Sequence, residues 1–87
     1  MSQTIVVTGA SRGIGLGLVR AMVSRGHAVI GTVRKEGDAG VVRDAGASVE
    51  LVDVGDEGSI KALAARLGGR GIDVLVNNAG MSVAFAT

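Results

Sequence analysis

The chain has 87 residues, 47% hydrophobic and 20% charged, a balance that calls for one small globular domain or part of one and excludes a disordered chain. It contains no cysteine and a single histidine, His27, which excludes a disulfide frame and a thiolate metal site and argues against zinc or iron. A net charge of +1, with no block of Lys or Arg, argues against a nucleic-acid or polybasic membrane surface.

The first apolar run follows Met1-Ser2-Gln3 directly, leaving no room ahead of it for a secretory signal, and no run approaches bilayer length. A reducing cytoplasm is the expected location. Ile5-Val6-Val7-Thr8 is a short β-branched run that reads as a buried strand. Gly9, Gly13 and Gly15 punctuate the turn after it. A first helix is predicted from Gly13 to Arg25, with Ile14, Leu18, Ala21 and Met22 facing a sheet and Gly26 as its cap. Strand, glycine turn and helix N-terminus together make an anion site. Backbone N–H groups and the positive end of the helix dipole point at whatever lies over the turn, and missing Cβ atoms let a phosphate approach.

The second strand is Ala28 to Val33, followed by the polar turn Arg34-Lys35-Glu36-Gly37-Asp38. A short helix from about Ala39 to Asp44 is expected to end at Gly46, despite Gly40 and two adjacent valines. The third strand, Ser48 to Val52, closes on Asp53. Asp56 is a sound N-cap for a third helix carrying Ile60, Leu63, Ala64 and Leu67 on one face, stopped by Gly68 and Gly69. The fourth strand, Ile72 to Val76, runs into Asn77-Asn78-Ala79-Gly80, and Met81 to Thr87 carries no usable pattern. His27 reads as a surface residue, and Arg20, Arg25, Glu57, Lys61 and Arg66 as solvated charge.

Alternating strands and helices call for a parallel sheet with right-handed crossovers. The doubly wound arrangement gives strand order 3-2-1-4, the first two helices on one face and the third on the other. Ligands of such sheets bind where the order reverses, here between strands 1 and 4, so Thr8 and Asn77-Asn78 are expected to be neighbours.

Three stretches resemble the N-terminal half of a short-chain dehydrogenase/reductase. Thr8-Gly9-Ala10-Ser11-Arg12-Gly13-Ile14-Gly15 is similar to that family's TGxxxGxG cofactor loop, Asp53-Val54 to its acidic site at the adenine, and Asn77-Asn78-Ala79-Gly80 to its NNAG. The stretches from Gly13 to Arg20 and from Val29 to Arg34 also resemble the carbonyl-reductase and C-factor-like branch. The resemblance implies an α/β fold, a Rossmann-type doubly wound parallel sheet truncated to four strands with three helices. Residues 1–80 would form the dinucleotide-binding unit and 81–87 a tail leading to a missing C-terminal half. The implied cofactor-binding residues are Gly9, Ser11, Arg12, Gly13, Ile14, Gly15, Asp53, Val54, Asn78, Ala79 and Gly80. Asp53 can also simply end a strand and the asparagines can be turn formers, but the neighbouring motif favours the adenine reading of Asp53.

The ribose end of the site can be read separately. In an NAD site, an acidic residue about 20 positions past the glycine loop accepts the ribose hydroxyls. That slot here holds Arg34, followed by Lys35. An arginine can pair bidentately with a 2′-phosphate, Arg12 can approach from the other side, and Ser11 can donate its hydroxyl. NADP(H) is therefore expected over NAD(H), although Glu36 or Asp38 can take the acidic role instead.

The resemblance also implies hydride transfer between nicotinamide and a carbonyl or alcohol carbon, with a tyrosine, a lysine and a serine in the second half of the protein. This chain has no tyrosine, Lys35 and Lys61 precede the NNAG stretch, and Ser82 follows it too closely. No catalytic residue is assigned, and no turnover is expected from the chain alone. With only one helix over the second sheet face, apolar side chains of strands 1 and 4 are expected to lie open and strand 4 to be a bare edge. Self-association or a completing polypeptide would cover them. A non-catalytic dinucleotide-binding or interaction module is the alternative.

Overall fold

The computed structural model describes residues 2–53, 57–68, 71–78 and 82–85. Within them the chain forms β1 (Thr4–Val7), α1 (Gly13–Ser24), β2 (Ala28–Val33), α2 (Ala39–Asp44), β3 (Ser48–Leu51), α3 (Glu57–Leu67), β4 (Val74–Asn77) and β5 (Ser82–Phe85). A 3-10 turn at Glu36–Asp38 leads into α2. The sheet order is β3-β2-β1-β4-β5. The first four strands are parallel, in the expected 3-2-1-4 order, with Val6 opposite both Ile30 and Leu75.

The fifth strand corrects the expectation of a four-stranded sheet with an unpatterned tail. Residues 82–85 run antiparallel to β4, placing Val83 opposite Val76 and Phe85 opposite Val74. They satisfy the N–H and C=O groups that a bare β4 edge would leave unpaired.

Two cores form because successive side chains of a strand point to opposite faces. Ile5 and Val7 of β1 join Val29, Val33, Val19 of α1, and Ala39 and Val42 of α2 in one cluster. Val6 and Ile30 join Val52, Leu63 and Leu67 beneath α3 in the other. The helices thus occupy the faces expected of them. β1 is not open on the α3 side, however: Val6 is 1% exposed because Leu63 and Leu67 reach over it. Among the described residues the opening on that face lies on the β4 side, where Leu75 is 36% exposed.

The inward stripe of α1 also differs from expectation. Gly15 and Val19 are buried, Leu18, Met22 and Val23 pack against the core, and Ile14 is 63% exposed. At about 100° per residue Ile14 lies about 140° from Val19, and exposed Ala21 about 160°, both outside a core-facing stripe. In α3, Leu63 and Leu67 are buried but Ala64 is exposed. Asp56 and Gly69 lie outside the described residues, as does the side chain of Ile60.

Boundaries shift by one or two residues from those expected. α1 ends at Ser24, with the Gly26 N–H bonding the Val23 carbonyl at 2.9 Å. β4 begins at Val74 rather than Ile72, since Asp73 is engaged across the strand end: its N–H donates to the Thr4 carbonyl (2.9 Å) and its carboxylate accepts from the Thr4 N–H (2.8 Å). His27 is half-buried, its Nδ1 accepting the Gln3 N–H at 3.0 Å in an exposed bond. Arg66 is not simply solvated either, because its Nε lies 2.6 Å from Glu50 Oε1 on β3. Among the described residues no helix is long and apolar enough to cross a membrane.

Candidate functional site

The turn after β1 is pinned from both neighbouring strands. The Thr8 N–H donates to the Val76 carbonyl at 3.0 Å, and the Thr8 hydroxyl lies 3.4 Å from the same oxygen. The Ala10 N–H donates to the Thr32 carbonyl on the β2 side, also at 3.0 Å. Asn78, just past β4, reaches over with its side-chain amide and donates to the Gly9 carbonyl at 3.0 Å. The expected meeting of strands 1 and 4 over the glycine turn is thus realised through backbone and through Asn78.

The glycines have separate jobs. A Cβ at Gly15 would lie 2.3 Å from the Gly9 carbonyl oxygen and 2.7 Å from Asn78 Nδ2, so only glycine lets the first turn of α1 lie this close. Gly13 is required for its conformation: its φ is +58°, and a Cβ there would meet nothing within 4 Å. Gly13 is the first residue of a 12-residue helix with no side-chain cap bond and no acidic residue in its first turn. Nothing in that first turn opposes an anion, and the helix dipole favours one.

Beside the turn lies a cleft of about 350 Å³ lined by Ser11, Arg12, Arg34, Lys35 and Asp38. Arg12 and Arg34 share its wall, although they come from different loops. Three cations face one carboxylate, a lining suited to a phosphate. Of the two acids the sequence offered for this slot, Asp38 lines the cleft, with Lys35, where the 3-10 turn follows β2. Their place in the polar turn after β2 was the available signal. Glu36 instead pairs with Arg43, 3.7 Å away.

Arg34 has a second neighbour. Its Nε lies 3.9 Å from Asp53 Oδ2, with the two side chains 75% and 48% exposed. The Asp53 N–H donates to Ser59 Oγ of α3 at 3.0 Å, fixing the end of the loop after β3. Gly9, Ser11, Arg12, Gly13, Gly15, Arg34, Asp53 and Asn78 therefore gather along the C-terminal ends of β1 to β4. Ile14 stands exposed at the head of α1. Val54, Ala79 and Gly80 lie outside the described residues, as does the side chain of Asn77.

The fold has counterparts among known proteins. The family model described as short chain dehydrogenase matches residues 3–87. The chain is 39% identical over 84 residues to the 3-oxoacyl-acyl-carrier-protein reductase FabG of Vibrio harveyi, covering 88% of this chain and 34% of that protein. It is 42% identical over 91 residues to serine 3-dehydrogenase of Agrobacterium fabrum, covering 99% of this chain and 36% of that protein. Among solved structures, a short-chain dehydrogenase from Streptomyces avermitilis aligns with a TM-score of 0.82 and 36% identity, over 90% of this chain and 31% of that one. Menthone neomenthol reductase from Mentha piperita aligns with a TM-score of 0.78 and 28% identity, over 90% of this chain and 31% of that one. The chain thus spans about a third of the length of the relatives it matches. By its strand order, its glycine turn tied to Asn78, and these matches, the chain belongs to the short-chain dehydrogenase family.

Proposed function

We propose that this chain is the NADP(H)-binding N-terminal portion of a short-chain oxidoreductase. The shared cleft wall of Arg12 and Arg34 carries this reading, since two guanidiniums from separate loops are suited to a ribose 2′-phosphate. The diphosphate would rest over Gly13 at the α1 N-terminus, where space is open and the dipole favours negative charge. Asp53 would accept from the adenine amino group, and Asn78, bonded to the Gly9 carbonyl, would hold β4 against the turn on the nicotinamide side. Asp38 is the one carboxylate of the cleft, and Lys35 beside it offsets its charge.

When bound, the nicotinamide would supply or accept a hydride at a carbonyl or alcohol carbon. This chain's own residues bind and orient the dinucleotide. No tyrosine is present to act as the proton donor, so turnover belongs to the complete enzyme. Residues 1–80 would be the binding unit. The exposed Leu75 beside β5 is where a second copy or a completing polypeptide would cover the sheet.

Comparison of the native chain with Arg34→Ala tests this reading. Arg34→Ala is expected to narrow the preference for NADPH over NADH by about tenfold, the worth of one charge-assisted pair in a partly exposed site. An unchanged preference would remove Arg34 from the ribose site. Catalysis of carbonyl reduction by the native chain alone would remove the division of labour.

A further inference from the structure

Arg34 and Asp53 leave neighbouring strands side by side. Val33 and Leu51 are paired in register, so the loops that follow start together, and Arg34 Nε comes to 3.9 Å from Asp53 Oδ2. Arg34 also lines the cleft with Ser11, Arg12, Lys35 and Asp38. Its guanidinium therefore stands between a carboxylate and the cleft. The two partners differ in how firmly they are held. Backbone fixes the Asp53 segment: the Val52 N–H donates to the Val33 carbonyl at 2.9 Å and the Asp53 N–H to Ser59 Oγ at 3.0 Å. Arg34 sits on a long side chain that is 75% exposed.

We propose that Asp53 is a specificity-determining residue: its carboxylate competes with a ribose 2′-phosphate for the Arg34 guanidinium and lowers the preference for 2′-phosphorylated adenosine nucleotides. The inference rests on reading the cleft as the 2′-phosphate site. Loss of the Asp53 charge has two opposed effects on Arg34, removing a tether and removing a competitor. A solvent-exposed pair at this distance orders a flexible arginine only weakly. The competing charge, by contrast, opposes a phosphate dianion wherever the guanidinium is shared. Competition prevails.

Calorimetric titration of the full chain with adenosine 2′,5′-bisphosphate and with adenosine 5′-monophosphate tests this. The ligands differ only in the 2′-phosphate, so the ratio of their affinities cancels whatever Asp53 contributes at the adenine. Asp53→Asn is expected to raise that ratio by roughly two- to fivefold at low salt, the range of an exposed ion pair. The rise is expected to shrink when Arg34→Ala is also present, since there is then no guanidinium to contest. Asp53→Ser gives the same reading if Asp53→Asn does not fold. A ratio that is unchanged or lower in the neutral variants, or that rises equally with and without Arg34, overturns the competition. A native ratio no greater than one overturns the 2′-phosphate reading itself, and the inference with it.

Discussion

The Asn78 amide donates to the Gly9 carbonyl at 3.0 Å, closing the gap between the ends of β4 and β1 at the point where strand order reverses. Gly15 lies against both partners of that bond. Asn78 and the two glycines of the turn therefore fix the height and angle at which α1 begins, and with it the direction of the amides at its N-terminus.

Gly15→Ala and Gly17→Ala, two positions apart on the same helix, are expected to have opposite effects. The Gly15 methyl would fall 2.3 Å from the Gly9 oxygen, so backbone must move, at about 1–3 kcal/mol. Gly17 has nothing within 4 Å of its would-be Cβ, and Ala there removes the entropic penalty of a helical glycine, about 0.5–1 kcal/mol. Thermal melts should show Gly15→Ala lower by several degrees and Gly17→Ala unchanged or higher. A Gly15→Ala melt equal to native would mean that the close approach is not maintained in solution.

Gly13→Ala separates binding from stability. The positive φ costs about 1–2 kcal/mol for an L-residue, and the methyl would occupy space that is otherwise open at the first residue of α1. NADPH affinity is expected to fall by about tenfold or more, measured at a temperature where the variant remains folded. Stability lost with affinity retained would place the diphosphate elsewhere.

Much of this arrangement is legible in the residues themselves. Strand type, strand order and the face taken by each helix follow from β-branched runs, glycine punctuation and crossover handedness. β5 is not legible that way, because Ser82–Phe85 becomes a strand by pairing with β4 rather than through any pattern of its own. Ile14 misleads for a related reason: helical spacing marks it as apolar and periodic, but the core direction is set by Val19, which only packing reveals. The Arg34–Asp53 pair lies between these cases. Strand order 3-2-1-4 already puts the ends of the second and third strands side by side, so the meeting of their loops can be read from topology once that order is accepted. The cleft itself needed the 3-10 turn, whose residues carry no helical pattern.

The most direct measurement is titration of the native chain with NADPH and, separately, with NADH, followed by nicotinamide fluorescence. The chain contains no tryptophan and no tyrosine, so protein background is low. NADPH is expected to bind at least about tenfold more tightly, a gap that narrows as added salt screens Arg12, Arg34 and Lys35. Equal affinities for the two cofactors at low salt would contradict the assignment of this cleft to the ribose 2′-phosphate.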